Sequence, residues 1–228
     1  MEMLVKTAPT IRFDALWQRC VPSSEDAAAH IRADLVRLYS EPHRRFHTLS
    51  HIDDCLSRFD EVDTLMKDPD AVEVALWFHD AIYRPGSPDN EARSVELFQQ
   101  RSAGAASSFI KRVSDHIMAT KHVASDVVGD RGFVVDIDLH GFAEPWDIFM
   151  AKGDELRAEH AMQSDDEYYH AQVRFLTRLT KRRFFFCTPY YRARYEKLAR
   201  ENVQRLLKLR TSTGYGLAHD VEGRPRVS

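Results

Sequence analysis

The apolar positions of the chain recur mostly at three- and four-residue spacing, which is the period of an amphipathic helix. After a capping serine at position 23 or 24, Ile31, Leu35 and Leu38 form such a stripe in a helix that ends near residue 40. Strict alternation of apolar and polar positions, which is typical of half-buried strands, is rare. The pattern predicts further helices over residues 49–66, 70–82, 88–100, 109–120, 146–161, 165–181 and 189–209. We therefore expect an all-α fold.

Two segments need separate treatment. Residues 70–82 are apolar on nearly every side, so this helix should lie at the centre of the fold. The β-branched run 133–135 is the best candidate for a strand, although a short apolar run does not distinguish a strand from a buried helix. We predict a helix there as well.

The organisation of the chain favours one domain. Neither an internal repeat nor a linker of domain-separating length occurs before Thr211. The sequence therefore predicts a single-domain helical bundle over residues 1–210. Residues 211–228 are rich in Gly, Arg, Ser and Thr and lack periodicity, which predicts a mobile C-terminal tail.

Composition excludes several classes of protein. The 228 residues carry a net charge of −3 and no apolar run near the roughly 18 residues of a membrane span, so we expect a cytoplasmic protein without membrane association. Without a basic stripe, stable nucleic-acid binding is not expected. The three cysteines lie far apart, which argues against a disulfide framework or a thiolate zinc site. The 11 histidines direct attention to metal-ligand spacing.

Histidine and aspartate residues concentrate in three segments. His47 and His51 are four residues apart and would share a helix face if the helix begins near His47. His79 and Asp80 end a helix that otherwise looks buried, where charged groups are rare unless they are paired or bind a metal. Imidazole and carboxylate ligands together suit Mn²⁺, Fe²⁺, Co²⁺, Ni²⁺ or Zn²⁺. A lone histidine, however, is more often a structural residue.

The order of these residues resembles a known signature. His51, then His79-Asp80, then Asp138 is similar to the H…HD…D pattern of the HD superfamily of metal-dependent phosphohydrolases. Residues 46–52, 76–83, 90–94 and 136–139 resemble a small, mostly uncharacterised bacterial branch of that superfamily. The resemblance extends from about Trp17 to about Leu207 and implies a helical HD-domain-like bundle.

The resemblance also implies roles for individual residues. His51, His79, Asp80 and Asp138 would be ligands of a divalent ion, which would be Mn, Fe, Co, Ni, Zn or Mg. Asp80 would in addition orient the attacking water. His47 would be the general acid, with a supporting or purely structural role as the alternative. Asp136 remains an alternative ligand to Asp138, or else a helix N-cap.

A lower-ranking set of residues has expected roles around the ligands or the substrate. Each has an ordinary alternative, such as a solvated charge pair for the residues at 91 and 93 or a helix-end lysine at 121. The histidines at 116 and 122 would fit a second metal. The set is Glu91, Arg93, His116, Lys121, His122 and Asp136.

The expected function follows from the resemblance. It is a metal-dependent phosphohydrolase that cleaves the phosphoester of a small phosphorylated substrate, nucleotide-like or other, with a metal-activated water. The main alternative is a non-catalytic regulatory module with an HD fold that binds a metal or a nucleotide. Metal ligation alone does not separate these two functions.

Overall fold

The computed structural model describes residues 9–22, 25–124 and 127–216. These residues contain ten α-helices, two 3-10 helices and no strand, which confirms the all-α prediction for the described ranges. None of the described helices is both long and apolar enough to span a membrane. The chain divides into two compact units, Met1–Asp138 and Leu139–Ser228. The single domain over residues 1–210 stays a prediction.

The first unit is built around its fourth helix. The elements are α1 (Pro9–Cys20), α2 (Glu25–Tyr39), α3 (Leu49–Phe59), a 3-10 turn (Asp63–Leu65), α4 (Pro69–Phe78), α5 (Asn90–Arg101), α6 (Ser107–Ala119) and α7 (Asp130–Asp138). Helix α4 packs against α1, α3, α5, α6 and α7, and its residues from Ala71 to Phe78 are all buried. The predicted central position of this helix is therefore confirmed.

Aromatic side chains fill the core beside α4. Phe13, Trp17, Trp77, Phe78 and Phe98 are almost completely buried, and their rings contact one another in stacked, tilted or edge-on arrangements. Such pairs favour a defined packing over a fluid core. The core thus holds α4 and the residues that follow it in one position.

Several predicted boundaries are wrong by a few residues. Helix α3 ends at Phe59 instead of Met66, because the chain turns so that Val62 is fully buried and its N–H binds the Phe59 carbonyl. Helix α4 ends at Phe78 instead of Ile82. Helix α5 begins at Asn90, two residues after the predicted start at residue 88. The Ser87 hydroxyl donates to the Asp89 side chain in the turn that precedes the helix.

Other segments agree with or add to the sequence reading. The run 133–135 lies within α7, as predicted, whereas helix α1 was not predicted at all. Thr211 and Ser212, placed in the predicted tail, instead end the last helix. Residues 213–216 follow the helix without forming a further one, and residues 217–228 of the predicted tail lie outside the described residues.

Helices α4, α6 and α7 run in the same direction. Near their N-terminal ends, the Asp130 carboxylate accepts hydrogen bonds from the Lys67 and Asp68 amides, and Arg112 pairs with Asp68. At their C-terminal ends, Asp138 is the last residue of α7 and lies beside His79 and beside His122, which follows α6. The C-terminal ends of helices carry partial negative charge, so their convergence favours a cation.

The second unit is dominated by a helical hairpin. Its elements are a 3-10 turn (Leu139–Ala143), α8 (Trp146–Glu159), α9 (Asp165–Lys181) and α10 (Pro189–Ser212). Helices α9 and α10 are antiparallel: Arg200 donates to the carbonyls after the end of α9, and Arg210 reaches Gln172 within it. The Thr188 hydroxyl caps α10, as predicted.

Candidate metal centre

Four side chains of the first unit converge at the C-terminal end of α4. His51, His79, Asp80 and Asp138 each offer one ligand atom, and these four atoms all lie within 4.8 Å of one another. The His51 and His79 Nε2 atoms are 3.3 Å apart, and Asp80 Oδ2 lies 2.9 Å from His79 Nε2. Asp138 Oδ1 lies 3.4 Å from His51 Nε2 and 3.5 Å from His79 Nε2. This group could hold a metal ion.

The ends of three helices position these ligands. His51 lies in the first turn of α3, and Asp138 is the last residue of α7. His79 is the C-cap of α4, and its N–H still binds the Ala75 carbonyl at 2.8 Å. Asp80 follows beyond the helix. Because α4 ends between Phe78 and Asp80, two consecutive residues reach one point, which an uninterrupted helix would not allow.

The hydrogen bonding of His79 leaves its second nitrogen for a ligand. His79 Nδ1 lies 2.9 Å from the Leu76 carbonyl oxygen. A carbonyl only accepts, so Nδ1 carries the proton and donates it. Histidines that bind metals usually donate their other nitrogen in this way, which orients the ring. The donor set and this orientation fit a divalent ion bound by the four side chains.

The electrostatics of the cluster favour positive charge. Burial opposes protonation of His79, but Asp80 and Asp138 outweigh it and raise the pKa of His79 well above its usual range. Burial would raise the pKa of Asp138, yet hydrogen bonds from His122, His51 and His79 hold that pKa far below its usual range. Burial would raise the pKa of Asp80 as well, but the charges of His79 and His47 lower it. Both carboxylates therefore stay ionised, as metal ligands must be.

His47 reaches the cluster from outside the helix. Helix α3 begins at Leu49, as predicted, so His47 lies outside the helix and does not share a helix face with His51. His47 Nε2 nevertheless lies 3.8 Å from Asp80 Oδ2, and its ring stacks on Tyr83 with 4.0 Å between centroids. The side chain is 15% exposed, which places it at the edge of the ligand group. Its role as general acid stays a prediction.

His122 supports Asp138 from the segment after α6. Its Nε2 lies 2.8 Å from Asp138 Oδ2, the oxygen other than the one nearest His51 and His79. The backbone of His122 has a φ of 54°, in the left-handed region that side chains other than glycine seldom adopt. Such strained residues concentrate at functional sites. His122 thus contacts the ligand group, although not as a member of it.

His116 lies away from the cluster. It is buried on α6, and neither ring nitrogen has a hydrogen-bond partner among the described residues. Burial lowers its pKa to about 4, with Asp130, Arg131, Asp68 and Asp115 as the charged groups that act on it. Among the described residues, the four-residue group is the only set of His, Cys, Asp or Glu side chains that could hold a metal, and it includes neither His116 nor His122.

The remaining candidates also lie outside the four-residue group. Asp136 is fully buried within α7, which begins at Asp130, so the N-cap alternative is wrong. Arg93 is exposed and pairs with Asp89 at 2.8 Å. Glu91 is half-buried in the first turn of α5. Lys121 Nζ donates to the Pro88 carbonyl at 2.7 Å, a contact that ties two loops together.

No individual role was predicted for the residues that hold the loop after Asp80, although two of them lie in the segment 90–94 that carries part of the resemblance. The Ile82 amide donates to Ser94 Oγ at 3.1 Å, and the Asn90 side chain pairs with both the amide and the carbonyl of Arg84 at 3.0 Å. Asn90 and Ser94 are buried and one turn apart on α5. They lie in the same segment as Glu91 and Arg93. The four-residue spacing of two polar side chains on one face of this helix was the signal in the sequence. Arg44, which is also buried beside this loop, had no such signal.

Comparisons with known proteins add no support for a function. No family model, no curated protein and no solved structure matches the chain. The resemblance to the HD superfamily therefore stays a prediction. The support for a metal centre is the arrangement of His51, His79, Asp80 and Asp138.

Proposed function

We propose that the chain is a metal-dependent phosphohydrolase that cleaves a phosphoester of a small phosphorylated substrate. The observation that supports this proposal is the convergence of two imidazole nitrogens and two carboxylates within 4.8 Å, next to a further histidine. Two nitrogen and two oxygen donors suit Mn²⁺, Fe²⁺, Co²⁺, Ni²⁺ or Zn²⁺ better than an all-oxygen set would. A divalent ion bound there would supply a nucleophile by lowering the pKa of a bound water, and would offset phosphoryl charge.

The side chains of this chain supply the remaining chemistry in the proposal. Asp80 accepts a hydrogen bond from the attacking water and holds it toward the phosphorus. His47, 3.8 Å from Asp80 and partly exposed, donates a proton to the leaving oxygen. Tyr83 stacks on the His47 ring and limits its orientations. His122 holds the outer oxygen of Asp138.

Turnover by the metal-loaded protein tests the proposal. The purified chain is loaded separately with Mn²⁺, Fe²⁺, Co²⁺, Ni²⁺, Zn²⁺ and Mg²⁺ and incubated with phosphomonoesters, nucleotides and cyclic nucleotides. We expect release of phosphate or of the cleaved ester from at least one substrate, its loss in Asp80→Asn, and its retention in the matched control Asp89→Asn, which changes an exposed carboxylate of the next loop.

Two results would count against catalysis. Turnover no higher than that of Asp80→Asn with every metal would contradict the proposed phosphohydrolase. If nucleotides then raised the melting temperature of the metal-loaded chain without being cleaved, the non-catalytic binding module would be the better account.

A further inference from the structure

A buried arginine joins the two segments that carry the candidate centre. The Arg44 side chain has no exposed surface. One terminal nitrogen of its guanidinium donates to the His47 carbonyl at 3.1 Å and to the Asp80 carbonyl at 2.8 Å, and the other donates to the Ala81 carbonyl at 2.9 Å. A single planar group therefore holds backbone atoms of segments that are more than 30 residues apart in sequence.

The surroundings of Arg44 compensate its charge. A buried charge is costly unless it is paired and hydrogen-bonded. Glu41 Oε2 lies 3.2 Å from Arg44 Nε, and the rings of Tyr39 and Tyr83 lie 5.1 and 5.6 Å from the guanidinium carbon. The guanidinium also lies past the C-terminal end of α4, where the helix dipole favours a cation. The position is thus built for an arginine.

The carbonyls that Arg44 binds belong to residues of the candidate centre. The His47 Nε2 and Asp80 Oδ2 atoms lie 3.8 Å apart. His51 follows four residues after His47, in the first turn of α3. Because both carbonyls bind the same guanidinium, the backbone of His47 is held at a set distance from the backbone of Asp80. The positions from which the two side chains extend are therefore held as well. A lysine would keep the charge, but its single ammonium lacks the planar fork that reaches three carbonyls.

We propose that Arg44 is a positioning residue of the metal centre: it sets the distance between the His47–His51 segment and the His79–Asp80 turn. This inference rests on the proposed metal-binding function. It separates Arg44 from a residue that only stabilises the core, because a purely structural arginine would leave the metal affinity of the folded chain unchanged.

The first test follows hydrogen exchange in the metal-free protein. In Arg44→Lys, we expect backbone amides in residues 47–52 and 79–83 to exchange about tenfold faster, while the rest of α4 keeps its protection. The matched control is Arg12→Lys, the same substitution at a partly buried arginine that pairs with Glu73 of α4 at 2.6 Å. Unchanged exchange in both segments of Arg44→Lys would overturn the proposal.

The second test measures metal binding. Competition with a chromophoric chelator should show affinity about tenfold or more below that of the wild type for Arg44→Lys, as is usual when support of a ligand is lost. The visible absorption of the cobalt-loaded variant should shift as well. Arg12→Lys should match the wild type in both. Wild-type affinity together with an unchanged cobalt spectrum in Arg44→Lys would overturn the role of Arg44.

A milder variant keeps the test decisive if Arg44→Lys does not fold. Glu41→Gln removes only the carboxylate beside Nε, and we expect the same selective exchange with a smaller loss of affinity. No change in either quantity would overturn the proposal. A wild-type chain that binds no metal would contradict the proposed function and this role with it. A metal-binding wild type with an equally tight Arg44→Lys or Glu41→Gln would contradict the role of Arg44 alone.

Discussion

The two ends of the parallel helices α4, α6 and α7 both carry buried or half-buried aspartates, but in different surroundings. At the N-terminal end, Asp130 accepts hydrogen bonds from the Lys67 and Asp68 amides. Asp68 in turn caps the Ala71 amide and pairs with Arg112. Free N–H groups are available at helix N-termini, so the carboxylates there are satisfied by backbone and arginine.

At the C-terminal end the backbone offers carbonyls instead of amides. Asp80 and Asp138 face the rings of His79, His51 and His122. A carboxylate in this place is opposed by the helix dipole, and only a cation or a histidine proton compensates it. The difference teaches that the end of the helices that an aspartate occupies decides whether backbone amides and arginine satisfy it or whether it faces histidines as a candidate metal ligand.

The largest expected effect is the loss of metal binding when an aspartate is removed from the C-terminal end, but not when one is removed from the N-terminal end. Asp138→Ala should abolish metal binding, because it removes one of the two carboxylates that contact both His51 and His79. Asp130→Ala should bind metal like the wild type and lower the free energy of unfolding by about 1 kcal/mol. Isothermal titration with Zn²⁺ or Mn²⁺ and thermal melting measure both. Equal metal binding by the two variants would remove the distinction between the ends.

A smaller effect is expected at His47, whose replacement should change turnover but not metal binding. His47→Gln should reduce turnover by about a hundredfold or more while the bound metal stays the same, since general acids typically contribute that much. Turnover and metal content are measured on the same preparation. A loss of metal in this variant would instead make His47 a ligand, and unchanged turnover would contradict its role as the acid.

The support of Asp138 should matter less than Asp138 itself. Asn tolerates the left-handed backbone of residue 122, so His122→Asn removes the contact with Asp138 Oδ2 without adding strain. We expect metal affinity to fall by about tenfold, as measured by chelator competition. If affinity stays within the error of the wild type, the imidazole of His122 does not hold the ligand.

The smallest effect belongs to His116, the buried histidine in the last turn of α6. The folded-state pKa of His116 is about 4, below the ordinary 6.5, so the unfolded chain binds the extra proton between these values and stability falls as pH drops below about 6.5. His116→Gln should remove a penalty of about 1 kcal/mol at pH 5.5 and none at pH 7.5. Urea unfolding at both pH values checks this. A difference between wild type and variant that does not change with pH would contradict a neutral buried His116.

Much of the fold could be predicted because periodicity is local. Helix α9 was predicted over residues 165–181, and it spans Asp165–Lys181. Helix α1 was missed although Phe13, Leu16 and Trp17 have helical spacing and are buried. The ends of α3 and α4 were misplaced because tertiary burial of Val62 and the turn after Phe78 decide them.

The candidate ligands could be predicted from their order, whereas their support could not. His51, His79, Asp80 and Asp138 are the predicted ligands, and the structure brings them together. Arg44 carries no motif, because its partners are carbonyls far along the chain and carbonyls are common to every residue. Such contacts depend on the packing of α4, which local pattern does not specify.

The metal content of the purified wild-type chain, by mass spectrometry after loading and removal of free ions, tests the central claim most directly. The structure leads us to expect about one tightly bound divalent ion per chain, held in the wild type and lost in Asp138→Ala. A folded wild-type chain that retains no ion after exposure to Mn²⁺, Fe²⁺, Co²⁺, Ni²⁺ and Zn²⁺ would contradict it.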